Sequence, residues 1–306
     1  MRSVNIRVSG AEGSANPDVP MYIYGDPALG PTVSLMAGVH GCEYTSIRGL
    51  RRFVDGLDES QLRGCLRVVP IANLTAFWAR SAFVVPVDGL NLNRCFPGDP
   101  EGSYAERLAY ALFENAIRGA DYHIDMHAGD LVEDLEPFTI YEESPVEEHS
   151  RALAFSYGCP NTIRTERSAS PTAGTSSAAA AEAGIPAITA EAGGRGIVDE
   201  ESVQLHYDGV RRVLSSLGVL AAHLDPVPDP VQFSHWVWLR AKVPGWWSPN
   251  IRVGEEVVAG TAIGTVTSID DGAVEEIVAP RSGVPLFITS SPAVGEGGLL
   301  LGLAVP

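Results

Sequence analysis

The chain has 306 residues, of which 45% are hydrophobic and 19% charged, and its formal net charge is −17. These values are typical of a globular protein and exclude a disordered, a collagen-like and a disulfide-scaffold chain. Because 38 acidic residues face only 21 basic ones, the chain has no broad cationic surface, and neither nucleic acid nor an anionic membrane is expected as a partner.

The N-terminal residues and the cysteines favour a cytoplasmic location. The first twenty residues have no apolar run behind a basic start, so no secretory signal is predicted. Nor does any stretch approach the roughly 18 consecutive apolar residues that span a bilayer. Four cysteines lie far apart without a CxxC pair, which indicates buried thiols in a reducing compartment: Cys42, Cys65, Cys95 and Cys159.

Strands and helices alternate up to about residue 225. Apolar runs predict strands over residues 32–37, 66–72, 122–126, 138–141 and 187–190. Helical periodicity or helix-capping patterns predict helices over residues 43–57, 103–117, 147–157, 176–183 and 200–224. This alternation predicts an α/β domain with a largely parallel or mixed sheet flanked by helices.

The pattern changes at residues 225–230, where three prolines in five residues indicate a linker. Beyond it, short β-like runs are separated by Gly, Pro and Asp. They lie over residues 236–243, 257–258, 262–267, 274–279, 285–288 and 299–305. We therefore expect two domains, a catalytic one over residues 1–225 and a small all-β one over residues 226–306.

His40 and Glu43 follow directly after the predicted strand 32–37. In open α/β sheets, functional groups collect at the carboxyl ends of strands. An imidazole and a carboxylate across one turn suit zinc, although the pair taken alone is also compatible with a solvated loop.

The segment 122–129 supplies a third candidate ligand. In an extended strand His123, Asp125 and His127 point to one face, and His127 lies at the carboxyl end. Asp125 is either the hydrogen-bond acceptor that supports a ligand imidazole or a buried core carboxylate, and His123 is expected to be a core histidine. Two histidines and one carboxylate, with a fourth position open, are typical of a hydrolytic zinc site.

Glu191 also ends an apolar strand, which is costly for an ionised carboxylate unless a cation compensates. It is therefore the candidate general base, and a structural ion pair with an arginine is the alternative. The side-chain amide of Asn93 and the guanidinium of Arg94 can together bind a carboxylate. Arg80 can polarise a carbonyl, although each arginine alone also fits an ordinary surface residue.

Five motifs occur in order over about residues 36–196: GVHGCE, N-x-x-A-x-x-x-R ending at Arg80, NLNRCFPG, IDMHAG and ITAEAGG. In this order they resemble the succinylglutamate desuccinylase and aspartoacylase family, a branch of the zinc carboxypeptidase-like hydrolases. The resemblance implies the following roles: zinc ligands His40, Glu43 and His127, catalytic base Glu191, carbonyl-polarising residue Arg80, and substrate-carboxylate ligands Asn93 and Arg94.

The resemblance further implies one Zn²⁺ per chain and hydrolysis of the amide bond of a small N-acyl amino acid or related carboxylate. A zinc carboxypeptidase using the same residues is an alternative, and a non-catalytic metal- or ligand-binding protein is another. Glu191 argues against the last, because binding alone needs no base. Two positions depart from the family pattern: Asn91 replaces an aspartate, and Ala128-Gly129-Asp130 replaces a threonine or Gly-Gly.

The C-terminal segments 253–260 and 279–284 resemble the barrel-sandwich domains of lipoyl and biotinyl carriers. Residues 261–278 contain no lysine, so a carrier role is excluded. The module is then a passive appendage or a wall of the active-site entrance, and the wall is favoured because pockets often lie at domain interfaces. Its tryptophans could serve the core or docking: Trp236, Trp238, Trp246 and Trp247. Whether the chain forms a homo-oligomer is left open by the sequence.

Overall fold

The computed structural model describes residues 1–8, 18–166, 173–222 and 224–306. The strands are β1 Arg2–Ile6, β2 Val19–Gly25, β3 Thr32–Ala37, β4 Cys65–Val69, β5 Tyr122–His127, β6 Glu133–Leu135, β7 Phe138–Glu142, β8 Asn161–Thr165, β9 Ala187–Glu191, β10 Val231–Phe233, β11 His235–Arg240, β12 Gly245–Pro249, β13 Ala262–Ser268, β14 Val274–Val278, β15 Val284–Thr289, β16 Ala293–Val294 and β17 Leu299–Val305. The α-helices are α1 Tyr44–Asp55, α2 Leu74–Ala79, α3 Tyr104–Leu112, α4 Glu147–Tyr157, α5 Ser176–Glu182 and α6 Glu200–Ser216.

A nine-stranded sheet forms the centre of the molecule, in the order β1-β2-β4-β3-β5-β9-β7-β8-β10. Its middle strands β4, β3, β5 and β9 are parallel, whereas β1, β2 and β7 run antiparallel to a neighbour. The predicted α/β fold with a mixed sheet flanked by helices is confirmed. Since β3, β5 and β9 are adjacent and parallel, their carboxyl ends meet at one edge, where His127 lies opposite Glu191.

Helices cover both faces of this sheet. On one face, α1, α4 and α6 pack with Leu35 and Ile124 into one hydrophobic cluster. On the other, α3 and α5 pack with Met36 and Val69 into a second cluster. Leu35 and Met36 are neighbours in β3 and point to opposite faces, so this strand is buried on both sides and lacks the polar alternation of a surface strand.

The C-terminal part forms two four-stranded sheets, β11-β17-β15-β6 and β14-β13-β12-β16. Two short strands tie it to the rest of the chain. β6 leaves the N-terminal part and pairs with β15, while β10 follows the proline-rich segment and extends the large sheet beside β8. A hydrophobic cluster that includes Phe138 and Leu286 joins the two parts. The domain division at residues 225/226 stays a prediction. The pairings of β6 with β15 and of β10 with β8 both join residues from the two sides of this division.

Several element boundaries differ from the sequence predictions. The last helix ends at Ser216 instead of residue 224, because Gly218 turns the chain with a φ of +70°. The run 257–258 forms only a single bridge between Val257 and Gly283. By contrast, helix α3 begins with the capping box of Ser103 and Glu106 that the sequence predicts.

Two further observations bear on the composition-based expectations. Within the described ranges, no helix is both long and apolar enough to cross a membrane. All four cysteines are free thiols, three of them buried and Cys95 partly so. Their structural role, as small buried side chains, agrees with the prediction.

Candidate active site

A cavity of about 210 Å³ opens at the carboxyl ends of β3, β5 and β9. Its polar lining residues are His40, Glu43, Asn91, Asn93, Arg94, His127, Glu133, Thr175, Thr189 and Glu191. Its apolar lining residues are Phe83, Ala128, Leu135, Phe138, Ile140, Trp236, Trp238, Phe287 and Leu299. Six of the seven residues predicted for the site therefore share one cavity.

The three predicted metal ligands lie together. His40 Nδ1 is 2.6 Å from Glu43 Oε1, and His127 Nδ1 is 2.8 Å from Glu43 Oε2. One candidate ligand atom from each residue lies within 4.8 Å of the others. The tight turn that presents His40 requires Gly41, because a Cβ there would lie 2.2 Å from the backbone nitrogen of Phe77.

Buried acceptors orient both imidazoles. His40 Nε2 donates to Asn91 Oδ1 at 3.0 Å, and His127 Nε2 lies 3.0 Å from Asp125 Oδ2. Asp125 Oδ2 in turn accepts a short hydrogen bond from the Ser176 hydroxyl. Asp125 thus contacts the imidazole of the candidate ligand His127, which fits one of the two roles that the sequence allows. Asn91, which departs from the family pattern, supports the other imidazole through a neutral amide oxygen, leaving both Nδ1 atoms facing Glu43.

His123 is not part of the ligand cluster. Its ring is fully buried, with Nδ1 3.0 Å from the Ser34 hydroxyl and Nε2 3.1 Å from the Ser176 hydroxyl. Burial lowers the pKa of His123 to about 4. The expected core histidine is confirmed.

The electrostatics of the ligand cluster favour positive charge. Burial alone would raise the pKa of Glu43, but His127 and His40 lower it to about 2. Burial likewise opposes protonation of His127, but Asp125 and Glu43 raise its pKa well above the ordinary value. The buried carboxylates thus attract positive charge to this cluster, which a divalent cation could supply. Two imidazole nitrogens and a carboxylate form a donor set that fits zinc.

Glu191 lies at the end of β9, in register with His127 on β5. Its Oε2 atom is buried and has no hydrogen-bond partner among the described residues. Burial raises the pKa of Glu191 to about 8; the charge of His127 opposes this rise, while those of Glu43 and Glu133 add to it. A carboxyl held this way, facing a cavity beside a candidate metal cluster, is suited to accept a proton.

Asn93 and Arg94 line the same cavity. Asn93 is buried; its amide nitrogen lies 3.4 Å from His127 Nε2, and its amide oxygen accepts from the backbone N–H of Ser176 at 3.1 Å. Arg94 donates from Nη1 to the backbone oxygen of Asn93 at 2.6 Å; the residue as a whole keeps exposed surface, whereas its guanidinium is partly desolvated inside the cavity. The guanidinium of Arg94 therefore lies beside the cluster with access to a ligand.

Arg80 lies apart from the other predicted residues. It caps the C-terminus of α2 in the left-handed conformation, with φ 54° and ψ 45°, and is exposed. It is not among the described residues that line the cavity. Its role in polarising a carbonyl stays a prediction.

Phe83 and Glu133 are two of the lining residues that lie outside the sequence motifs. Phe83 has a φ of +62°, and its backbone N–H donates to Asp130 Oδ2 at 2.7 Å. Glu133 accepts from the backbone N–H of Asp130 at 2.9 Å, and burial raises the pKa of Glu133 to about 7. Neither residue belongs to a periodic run or a recognisable motif. The one available signal was Asp130, a departure from the family pattern, which contacts both.

The C-terminal module contributes Trp236, Trp238, Phe287 and Leu299 to the cavity. These contacts agree with the expected wall at the active-site entrance. Of the other two tryptophans, Trp247 is buried in the module core and Trp246 is exposed. Of the four tryptophans, Trp236 and Trp238 therefore line the cavity, Trp247 belongs to the module core, and Trp246 belongs to neither.

A model of the succinylglutamate desuccinylase/aspartoacylase catalytic domain matches residues 29–217. Among curated proteins, the chain is similar to the N-alpha-acetyl-L-2,4-diaminobutyric acid deacetylase of Halomonas elongata. The two are 30% identical over 266 residues, which cover 83% of this chain and 76% of the relative.

Two solved structures illustrate the similarity of the fold. The product-bound ectoine utilization protein EutE (DoeB) from Ruegeria pomeroyi has a TM-score of 0.85 and 24% identity to this chain. The succinylglutamate desuccinylase/aspartoacylase from Rhodobacter sphaeroides has a TM-score of 0.85 and 26% identity. Each match covers 94% of this chain and 89% of the other. The similarity thus includes the C-terminal part as well as the nine-stranded sheet.

Proposed function

We propose, because the chain belongs to the succinylglutamate desuccinylase/aspartoacylase family, that it is a zinc-dependent hydrolase of the amide bond of an N-acyl amino acid. One observation carries this proposal: the cluster of His40, Glu43 and His127 shares a cavity with Glu191. The deacetylase from Halomonas elongata, named for an N-acetyl amino acid, supports the substrate class.

The residues of the cavity have distinct roles in this proposal. One Zn²⁺ per chain, bound by the cluster, would lower the pKa of water and polarise the amide carbonyl. Glu191 accepts a proton from the attacking water and passes it to the leaving amine. Asn93 and Arg94 bind the substrate carboxylate, and Arg80 helps to polarise the carbonyl.

Steady-state kinetics on two substrate panels test the proposal. We expect the purified chain to release amino acids from N-acyl amino acids, to lose activity when a chelator removes its metal, and to regain it with Zn²⁺. Faster cleavage of dipeptides would favour the carboxypeptidase. Metal binding without turnover of either panel would favour a non-catalytic binding protein.

Arg94→Ala should weaken substrates that carry a free α-carboxylate. Burial lowers the pKa of the guanidinium while Glu191 opposes that shift, so Arg94 is expected to be charged at neutral pH. Loss of one charge-assisted hydrogen bond should raise KM about tenfold to a hundredfold. The corresponding α-carboxamide substrates should be insensitive, and Arg48→Ala, an exposed change on α1, serves as a surface control. Equal losses on both substrate forms would make Arg94 structural.

Ser176→Ala should weaken zinc binding although Ser176 is not a ligand. The substitution removes the hydroxyl that donates to Asp125, the acceptor that orients His127. Loss of such a supporting group costs about tenfold to a hundredfold in metal affinity. Competition with a chelator measures it. Ser177→Ala is the matched control, because Ser177 bonds to Glu142 and Thr189 instead. Unchanged affinity in Ser176→Ala would contradict the role.

We also propose a cytoplasmic location. The four cysteines are free thiols, as the sequence suggests for a reducing compartment. The fractionation of the tagged protein between cell compartments would test this.

A further inference from the structure

One side of the active-site cavity is made of aromatic rings. Four of them form what we call the aromatic wall: Phe138, Trp236, Trp238 and Phe287. The indoles of Trp236 and Trp238 stack with ring centroids 4.7 Å apart and an interplanar angle of 21°. Phe138 packs its ring at 5.5 Å from Trp236, and Phe287 at 6.2 Å from Trp238, both in a T-shaped arrangement. The wall is thus a continuous packed unit.

The geometry of the sheet sets the position of this wall. Trp236 and Trp238 are two residues apart on β11 and therefore share one face. Opposite Trp238 on β17 lies Gly302, where a Cβ would be 2.7 Å from Trp238 Cζ3 and 3.0 Å from Trp236 Cζ3. The absence of a side chain at this position allows both indoles to lie across the neighbouring strand. Phe138, from the large sheet, packs against Trp236 in a T-shaped contact.

The wall offers carbon surface to a ligand. Trp238 keeps 36% of its surface exposed, whereas the two phenylalanines of the wall, Phe138 and Phe287, are buried. Leu135, Ile140 and Leu299 continue the apolar lining. A polar substrate group placed against such a surface would lose its water without gaining a partner, whereas an apolar group would be stabilised.

A positively charged group is the rival occupant, because indole faces also attract cations. Its counter-ion within the cavity would have to be a carboxylate such as Glu133. Burial raises the pKa of Glu133 to about 7, and one of its oxygens already accepts from Asp130. Leu135, Ile140 and Leu299 continue the carbon surface around the four rings, so the geometry of the lining favours an apolar occupant.

We propose that this site accepts N-acyl amino acids with a bulky apolar group, aromatic or branched aliphatic, and that the aromatic wall binds that group. The inference rests on the proposed deacylase function. The group can belong to the amino acid or to the acyl chain, since both offer the same chemistry to the wall.

Two substrate series distinguish these sources. In the first, the acyl group is acetyl and the amino acid is L-alanine, L-leucine, L-phenylalanine or L-lysine. In the second, the amino acid is L-alanine and the acyl group is acetyl, butanoyl or hexanoyl. We expect kcat/KM to rise at least about tenfold along one series towards the apolar members. Equal values throughout, or a preference for N-acetyl-L-lysine, would overturn the proposal.

Trp238→Ala should reduce that advantage about tenfold or more, measured as the ratio of kcat/KM between the apolar substrate and N-acetyl-L-alanine. Trp238→Phe, which keeps an aromatic ring, should restore part of the ratio. Trp246→Ala is the matched control, because Trp246 is 57% exposed and lies outside the lining of the cavity. An unchanged ratio in Trp238→Ala would contradict the role of the wall.

Binding measurements separate failure of this inference from failure of the proposed function. Calorimetry with Glu191→Gln should show tighter binding of N-acetyl-L-phenylalanine or N-hexanoyl-L-alanine than of N-acetyl-L-alanine. If the wild type hydrolyses none of these substrates, the deacylase proposal fails, and calorimetry still tests the wall. If it hydrolyses all of them equally and binds them equally, the deacylase stands and the wall proposal fails.

Discussion

Glu191→Gln should lower kcat at least about a hundredfold while zinc stays bound. Glutamine keeps the shape of the side chain but cannot accept a proton from water. Glu191 lies in register with His127 but outside the three-residue cluster, so removing its charge should not remove a ligand. Steady-state kinetics and metal analysis of the same preparation measure both quantities.

Glu148→Gln, an exposed change on α4, is the control for this experiment and should retain full activity. Loss of zinc together with turnover in Glu191→Gln would make Glu191 a ligand instead of the base. Retention of wild-type kcat would exclude it from catalysis.

Glu191→Gln should also change how the free energy of unfolding depends on pH. Burial raises the pKa of Glu191 from its ordinary 4.5 to about 8 in the metal-free chain. Between these values the folded state holds a proton that the unfolded state has released. The Glu191 contribution to the free energy of unfolding should therefore fall as pH rises through this window, by at most about 1.4 kcal/mol per pH unit. Glu191→Gln should lack this contribution, which denaturant titrations of both metal-free proteins would reveal.

His127→Ala should reduce zinc affinity at least about a hundredfold and abolish measurable turnover. A three-ligand site reduced to two loses both a bond and its geometry. In the metal-free chain, His127 also bridges Glu43 and Asp125, so both buried carboxylates lose a partner. Metal analysis after dialysis and chelator competition measure the affinity, and circular dichroism confirms the fold.

His149→Ala, an exposed change on α4, should retain zinc and activity. Full zinc occupancy in His127→Ala would place the third ligand elsewhere. His123 is the next histidine on that face, but its hydrogen bonds to Ser34 and Ser176 already satisfy both ring nitrogens. We therefore expect no substitute ligand.

The local elements of the fold were largely predictable. β3 and α4 have the predicted bounds, and the boundaries of β5, β7, β9, α1 and α5 differ by only a residue or two. These elements have strong local signals: buried apolar runs, helical periodicity and caps. Among the described residues, seven strands were not predicted: β1, β2, β6, β8, β10, β12 and β16. Of these, β6 and β10 have three residues each and form only by pairing with a distant strand.

The candidate site was also predicted only in part, because its motifs are local signals whereas other lining residues are brought in by tertiary contacts. The resemblance indicated His40, Glu43, His127 and Glu191, and the structure places all four in one cavity. Glu133 and Phe83 were not singled out as individual site residues, because both lie outside the motifs; the backbone N–H of Phe83 is held by Asp130. Arg80 belongs to a motif, yet the left-handed cap of α2 leaves it exposed outside the lining.

By itself, the sequence determined the chemistry available to this protein: two imidazoles and a carboxylate at strand ends, a further carboxylate after another strand, and no carrier lysine. Tertiary structure alone decided that β3, β5 and β9 are neighbours, although about 85 residues separate β3 from β5 and about 60 separate β5 from β9. It also decided that β11 brings two tryptophans against the same cavity. The reason is physical: local propensity reflects interactions within a few residues, whereas strand order and wall placement depend on long-range pairing and burial.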